Sequence, residues 1–205
     1  MKPRALVVNA LVWALAALAV FPLVWMVCVS LMPAGTASSL PPPLIPQHPT
    51  LEHYRVLLGD GGLKRAFVNS LVLAVVSTAV SVSFNTLAGY AFAKLRFAHR
   101  ERVFGLLIAA LVIPGQVAML PLFLMLKGLG LVNTWMGVLI PGMAGIFGIF
   151  LVRQYARGVP DELLEAARLD GAGEWRIFWN IVLPTLKPVL VTLAVFAFLG
   201  SWNDF

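Results

Sequence analysis

The sequence predicts an all-α, polytopic transmembrane helical bundle. The chain of 205 residues is 60% hydrophobic and only 12% charged, with a mean hydropathy of +0.90, a balance unlike that of a water-exposed domain. Several windows run about 20 residues almost free of charge, the length needed to cross roughly 30 Å of hydrocarbon. The alternating segments of about ten residues that a membrane β-barrel would show are absent.

The first span reads as Leu6 to Leu31, with Pro22 as a possible bend. Lys2, Arg4 and the small residues Ala34 to Ser39 raise the alternative of a signal peptide, but the apolar core far exceeds the roughly 7–15 residues of one. An uncleaved anchor is expected. Residues 33–65 form a proline-rich extracytoplasmic loop, with a short interfacial helix over Leu51–Leu58 and a turn at Gly59-Asp-Gly-Gly62. The second span covers Ala66–Ala93, where Ser77, Ser81 and Ser83 read as packing residues that let helix backbones approach.

A basic loop, Lys94–Arg102, leads to a third span from Val103 that Pro114-Gly115 and Pro121 should interrupt. Broken spans are tolerated where neighbours or a wet cavity satisfy the freed backbone groups. After a turn over Lys127–Thr134, a fourth span runs from Trp135 to Val152, and Gly142, Gly145 and Gly148 give it a smooth ridge for another helix. Residues 153–187 form a polar hairpin. A fifth apolar run starts near Pro188 and reaches Phe205 without cap or flanking cation, so the span is expected to continue beyond this sequence, which reads as C-terminally truncated.

The net charge of +6 reads as topology, because no basic run interleaved with aromatics suggests nucleic acid. Lys2, Arg4, the cations of Lys94–Arg102 and those of 153–187 fall on one side, eleven in all, against Arg55, Lys64, Arg65 and Lys127 on the other. The N-terminus and the hairpin are therefore expected in the cytoplasm. Cys28 is the only cysteine, and His48, His53 and His99 lack ligand spacing, so no metal site is expected. There is no G-x-x-x-x-G-K-[ST] and no nucleophile–base pair, so neither ATP binding by a P-loop nor catalysis is expected.

The hairpin carries the most specific signal. Pro160 suits the first position of a helix, and Asp161 and Glu162 suit its positive end. Leu163, Leu164, Ala167 and Arg168 fall around one side, Ala166 and Ala167 leave the middle slim, and Gly171 fits a left-handed stop. A second segment opens at Glu174, with Trp175, Phe178, Trp179 and Val182 as its apolar face. An interfacial hairpin on lipid head groups is the competing reading. Such helices favour lysine on the polar face, whereas here Asp161, Glu162, Glu165, Asp170 and Glu174 balance Arg153, Arg157, Arg168, Arg176 and Lys187.

Glu165-Ala-Ala167, Gly171 and Ile181-x-Leu183-Pro184, in this spacing, resemble the EAA loop of binding-protein-dependent ABC importer permeases. Asn69-Ser-Leu71, Ala88-Gly-Tyr-Ala-Phe-Ala93, Pro114 to Pro121, Leu129 to Thr134 and Ser201-Trp-Asn-Asp-Phe205 resemble the maltose- and glycerol-phosphate-type carbohydrate branch. The resemblance implies a type I ABC importer permease fold. It assigns Leu163, Leu164, Glu165, Ala166, Ala167, Arg168, Asp170, Gly171, Ile181, Leu183 and Pro184 to coupling with a cytoplasmic ABC ATPase, which would hold the ATP and Mg. It also implies a homologous permease, an extracytoplasmic solute-binding protein and a bacterial plasma (inner) membrane. Gln116, Asn203 and Asp204 are expected on a sugar pathway, with interhelical hydrogen bonding as the open alternative for the last two; Asn69 and Asn85 read as structural. A permease for a non-sugar solute, or a membrane scaffold docking a cytoplasmic partner without transport, remain alternatives.

Overall fold

The computed structural model describes residues 3–59 and 62–204, with side chains from Leu6 onward. Lys2, Asp60, Gly61 and Phe205, on which parts of the charge count, the glycine turn and the terminal motif fall, lie outside the described residues. Every regular element described is helical, as the apolar windows require: in hydrocarbon only a helix satisfies its own backbone groups within one segment. Three helical stretches, Leu6–Ser30, Gly62–Lys94 and Glu174–Asn203, are long and apolar enough to cross a membrane.

Two compact units are present, Met1–Phe67 and Val68–Phe205. In the first, α1 (Pro3–Ser30) runs through Pro22 unbroken. A 3-10 turn, Thr36–Ser38, and an irregular stretch follow. Then comes α2 (Glu52–Gly59), one residue away from the expected interfacial helix. It is held to the end of α1 by two hydrogen bonds: Tyr54 Oη meets Ser30 Oγ at 2.7 Å and His53 Nε2 meets the Met32 carbonyl at 2.9 Å. His53 is thus a tether.

The second unit contains most of α3 (Gly62–Lys94), α4 (Arg100–Ala110), α5 (Gly115–Gly128), α6 (Trp135–Gly142), α7 (Ile146–Arg157), α8 (Asp161–Leu169), α9 (Glu174–Ile177) and α10 (Leu183–Asn203). The third span breaks where Pro114 stands, α4 and α5 meeting at 103°. Pro121 does not interrupt anything. It lies inside α5, where the loss of one backbone donor does not end the helix. The fourth span is broken as well: α6 and α7 meet at 42°, across Met143 to Gly145.

The last span departs most from expectation. It begins at Glu174, not near Pro188, and α9 passes into α10 through a wide π turn, Phe178–Val182, whose last bond runs from the Leu183 amide to the Phe178 carbonyl. Pro184 follows immediately. Its ring would collide with the carbonyl four residues back in a regular helix, and a widened turn relieves that contact. The polar hairpin therefore shrinks at both ends. Arg153–Arg157 belong to α7, and Glu174–Lys187 belong to the final helix.

The core of this unit joins Tyr90 of α3, Val152 and Ala156 of α7, Val159, Leu164 of α8 and the row Ile177, Phe178, Val182, Leu186, Val189 and Leu193. A second cluster, Phe92, Phe104 and Ile149, ties α3, α4 and α7. Two glycines mark where α3 and α7 meet tightly. A Cβ on Gly89 would lie 2.6 Å from Val152, and one on Gly148 would lie 2.4 Å from Asn85 Nδ2. Asn85 is buried and bonds Ser81, four residues back in the same helix, at 3.0 Å, not a residue of another helix.

Candidate functional site

The α8 hairpin is built by local rules at each end. Pro160 occupies the capping position, not the first helical one, with extended backbone (φ −59°, ψ 132°). The start is fixed from outside: Lys94 Nζ, at the end of α3, donates to the Val159 carbonyl and to Asp161 Oδ1, both at 2.6 Å. That contact holds the Asp161 carboxyl below the usual range, through the hydrogen bond first and the ammonium charge second. At the other end Gly171 takes φ +80°. The Ala172 amide reaches the Ala167 carbonyl at 2.9 Å, and the Gly171 amide reaches that of Arg168 at 3.0 Å. This is the paired-bond stop that a left-handed glycine makes possible.

The two faces of α8 differ. Leu164 is buried and Ala167 packs on the same core. Leu163 and Arg168, expected beside them, are exposed: Leu163 lies at the rim of the packed face, and Arg168, one turn after Leu164, extends outward to Glu174. Glu165, Ala166 and Asp170 are also exposed, and Leu169 is 90% exposed. Leu163, Ala166 and Leu169 thus form an uncovered apolar edge on a helix whose opposite face is rooted in the protein.

A second anchor closes the hairpin. Glu174 accepts from Arg168 Nε at 2.8 Å and from the Tyr90 hydroxyl at 2.9 Å. The Glu174 hydrogen bond is the main cause that raises the Arg168 pKa above its ordinary value. In the following segment Phe178 and Val182 are buried as expected, but Trp175 and Trp179 are exposed and Ile177 is buried in their place. Ile181 and Leu183 are half-buried and Pro184 is exposed at the foot of α10. A groove of about 1170 Å³ separates α8 from the Ala93–Arg102 segment.

The sequence reading missed Tyr90, Lys94, Glu101 and Arg153 as anchors. Arg153 ends an apolar run of α7 and is 5% exposed. A cation at that depth requires partners, a signal that was available. Gln116, Asn203 and Asp204 are exposed, and among the described residues no hydrogen bond or ion pair engages their side chains. They stand at the start of α5 and the end of α10.

Comparison with known proteins supplies the frame for this geometry. The model of the family "Binding-protein-dependent transport system inner membrane component" matches residues 85–205. The chain is 37% identical to the arabinooligosaccharides transport system permease protein AraQ of Halalkalibacterium halodurans, over 93% of this chain and 70% of that protein. It is 39% identical to the sn-glycerol-3-phosphate transport system permease protein UgpE of Yersinia pestis, over 67% of this chain and 49% of that one. A bacterial ABC transporter involved in the import of the acidic polysaccharide alginate shares the fold with a TM-score of 0.87 and 25% identity, over 97% of this chain and 70% of its own. The chain thus spans from about half to 70% of the length of these relatives. With the family model covering more than half of it, and with that similarity to AraQ, the chain belongs to the inner-membrane permease components of binding-protein-dependent ABC transport systems.

Proposed function

We propose that the chain is a permease subunit of an ATP-driven importer of a sugar or sugar derivative, with its N-terminus and α8 in the cytoplasm. A separate ATPase docks on α8 and holds the ATP and Mg. A homologous permease completes the pathway, and an extracytoplasmic binding protein delivers the solute. The relatives named for arabino-oligosaccharide and glycerol-phosphate transport support the sugar class.

One observation carries this reading. α8 is fixed at its start by Lys94, at its end by Gly171 and Glu174, and beneath by Leu164, yet it leaves Leu163, Ala166 and Leu169 uncovered. A helix so held passes force from its free edge into α3, α7 and α10. Glu165 and Asp170 flank the edge, Arg168 shapes it, and Ile181, Leu183 and Pro184 form the foot through which movement enters the last span. Closure of the ATPase biases a two-state packing of the helices. Gln116, Asn203 and Asp204 offer amide and carboxylate groups to sugar hydroxyls.

The test uses cells that express the chain with its partner subunits, with Cys28→Ser as background. A cysteine at Ala166 should crosslink to the ATPase. Glu165→Lys and Gly171→Val should abolish uptake of arabino-oligosaccharides or sn-glycerol 3-phosphate, whichever the parent imports, without loss of the protein from the membrane. A Cβ at Gly171 meets nothing within 4 Å, so the defect of Gly171→Val arises from a left-handed backbone, at a cost of about 1–2 kcal/mol. No crosslink, together with normal uptake by both variants, would reject the reading.

A further inference from the structure

α8 is joined to α7 by only Gly158, Val159 and Pro160. A displacement of α8 therefore reaches the end of α7 through the chain itself, beside the routes through Lys94 to α3 and through Glu174 to α9. Arg153 lies in that part of the helix and is 5% exposed. Its guanidinium meets two other elements at once. Nε donates to the Phe92 carbonyl at 3.2 Å, and Nη2 donates to both carboxylate oxygens of Glu101, at 2.9 and 2.8 Å. Its Cζ stands 3.8 Å from the centre of the Phe104 ring.

Each contact has a structural logic. Phe92 is in the last turn of α3, where carbonyls lack intrahelical donors and attract cations. Glu101 is in the first turn of α4, where a carboxylate favours the positive end of the helix. The guanidinium thus joins the end of α3 to the start of α4 from a third helix. Apolar contacts nearby, Phe92, Phe104 and Ile149, also join the three. Those contacts give cohesion without direction, whereas a planar fork fixes register. An apolar residue of the same volume would supply the cohesion without the desolvation cost of a buried cation.

We propose that Arg153 is a positioning residue for transport: it locks α7 to α3 and α4, so that displacement of α8 is carried into the broken span α4–α5 instead of being absorbed between helices. The inference rests on the coupling role of α8 proposed above. It assigns to Arg153 and Glu101 the step from that helix to the membrane elements.

The experiment uses the assembled transporter in lipid nanodiscs, with Cys28→Ser and spin labels on cysteines at Leu106 of α4 and Glu162 of α8, both exposed and both off the docking edge. In the parent, the label distance should be unchanged between nucleotide-free and ATP-trapped states, since the helices move as one body. In Arg153→Met, which keeps volume, and Arg153→Lys, which keeps charge, the distance should change between the two states. Arabino-oligosaccharide imported per ATP hydrolysed should fall about two- to thirtyfold, the range expected for loss of one node of a coupling network. Glu101→Gln should act in the same direction, and adding it to Arg153→Met should cost nothing further. If the arginine variants fail to assemble, Glu101→Gln decides alone, since its side chain is 63% exposed. A state-independent label distance in these variants, or a fall in transport strictly proportional to ATPase activity, overturns the proposal. An assembled parent that shows no ATP-driven import would overturn the functional reading first and this inference with it.

Discussion

A single ammonium group sets where α8 begins. The Lys94 side chain is 5% exposed and has two acceptors, the Val159 carbonyl and Asp161 Oδ1. Removing it strands the buried turn at Val159, so Lys94→Met should loosen α8 by about 1–3 kcal/mol, the cost of a charged hydrogen bond and an orphaned acceptor. Amide hydrogen exchange over residues 161–169 would read this. The partner carboxylate gives a pH signature. Asp161 is held below its ordinary value by Lys94, so the folded state binds that proton more weakly than the unfolded one. Its stabilisation is fully present above the unfolded pKa of about 3.9 and is lost as pH falls through the lower folded value. Protection of α8 should therefore be insensitive to Asp161 between about pH 7 and 5 and should weaken near and below about 4. Asp161→Asn should flatten that part of the profile; an unchanged acid limb in the variant would assign it to another group.

At the scale of elements, Gly148 of α7, like Gly89 of α3, leaves no room for a Cβ where α3 and α7 meet, whereas Gly145 does. Gly148 faces Asn85, and Gly145, one turn earlier, has only Asn85 Nδ2 within reach, at 4.0 Å. Gly148→Ala should lower thermal stability in detergent by about 1–3 kcal/mol through overpacking, and Gly145→Ala should cost little. Asn85 Oδ1 is buried without a partner, so Asn85→Ala should be tolerated and should rescue Gly148→Ala; equal damage by the two alanines would place the close contact elsewhere. The glycines were legible in the sequence as a ridge, since small residues near an interval of three or four leave a groove. Their partner was not, because facing positions depend on the crossing of two helices distant in sequence. The α8 hairpin was legible for a local reason: a proline start, acids in the first turn and a glycine stop each act within one turn. The phase of the segment after it was not. The π turn at Phe178–Val182 shifts the rotation of the helix, so a 3.6-residue period placed Trp175 and Trp179 on the buried side. Arg153 shows the same division: its depth follows from an apolar run, but Phe92 and Glu101 lie 61 and 52 residues away.

At the scale of the whole chain, segment length and charge carry different information. α3 has 33 residues, about 50 Å of helix, against a hydrocarbon core of roughly 30 Å. An untilted α3 would therefore project beyond the apolar layer, and tilting takes up the excess otherwise. The bends at Pro114 and at Met143–Gly145 deliver shorter helices, whose freed backbone groups need cover from neighbours or water. None of this says which side is which; the asymmetry of lysine and arginine predicts it, through the preference for positive loops inside. With Cys28→Ser as background, single cysteines at Leu169 and at Ile45, 90% and 74% exposed, separate the two orientations. An impermeant maleimide added to intact cells should label Ile45→Cys and spare Leu169→Cys, and inverted membrane vesicles stripped of the ATPase should reverse the pattern. Labelling of Leu169→Cys from outside would place α8 beyond the reach of any cytoplasmic ATPase, and the coupling role assigned to its free edge would fall with that single result.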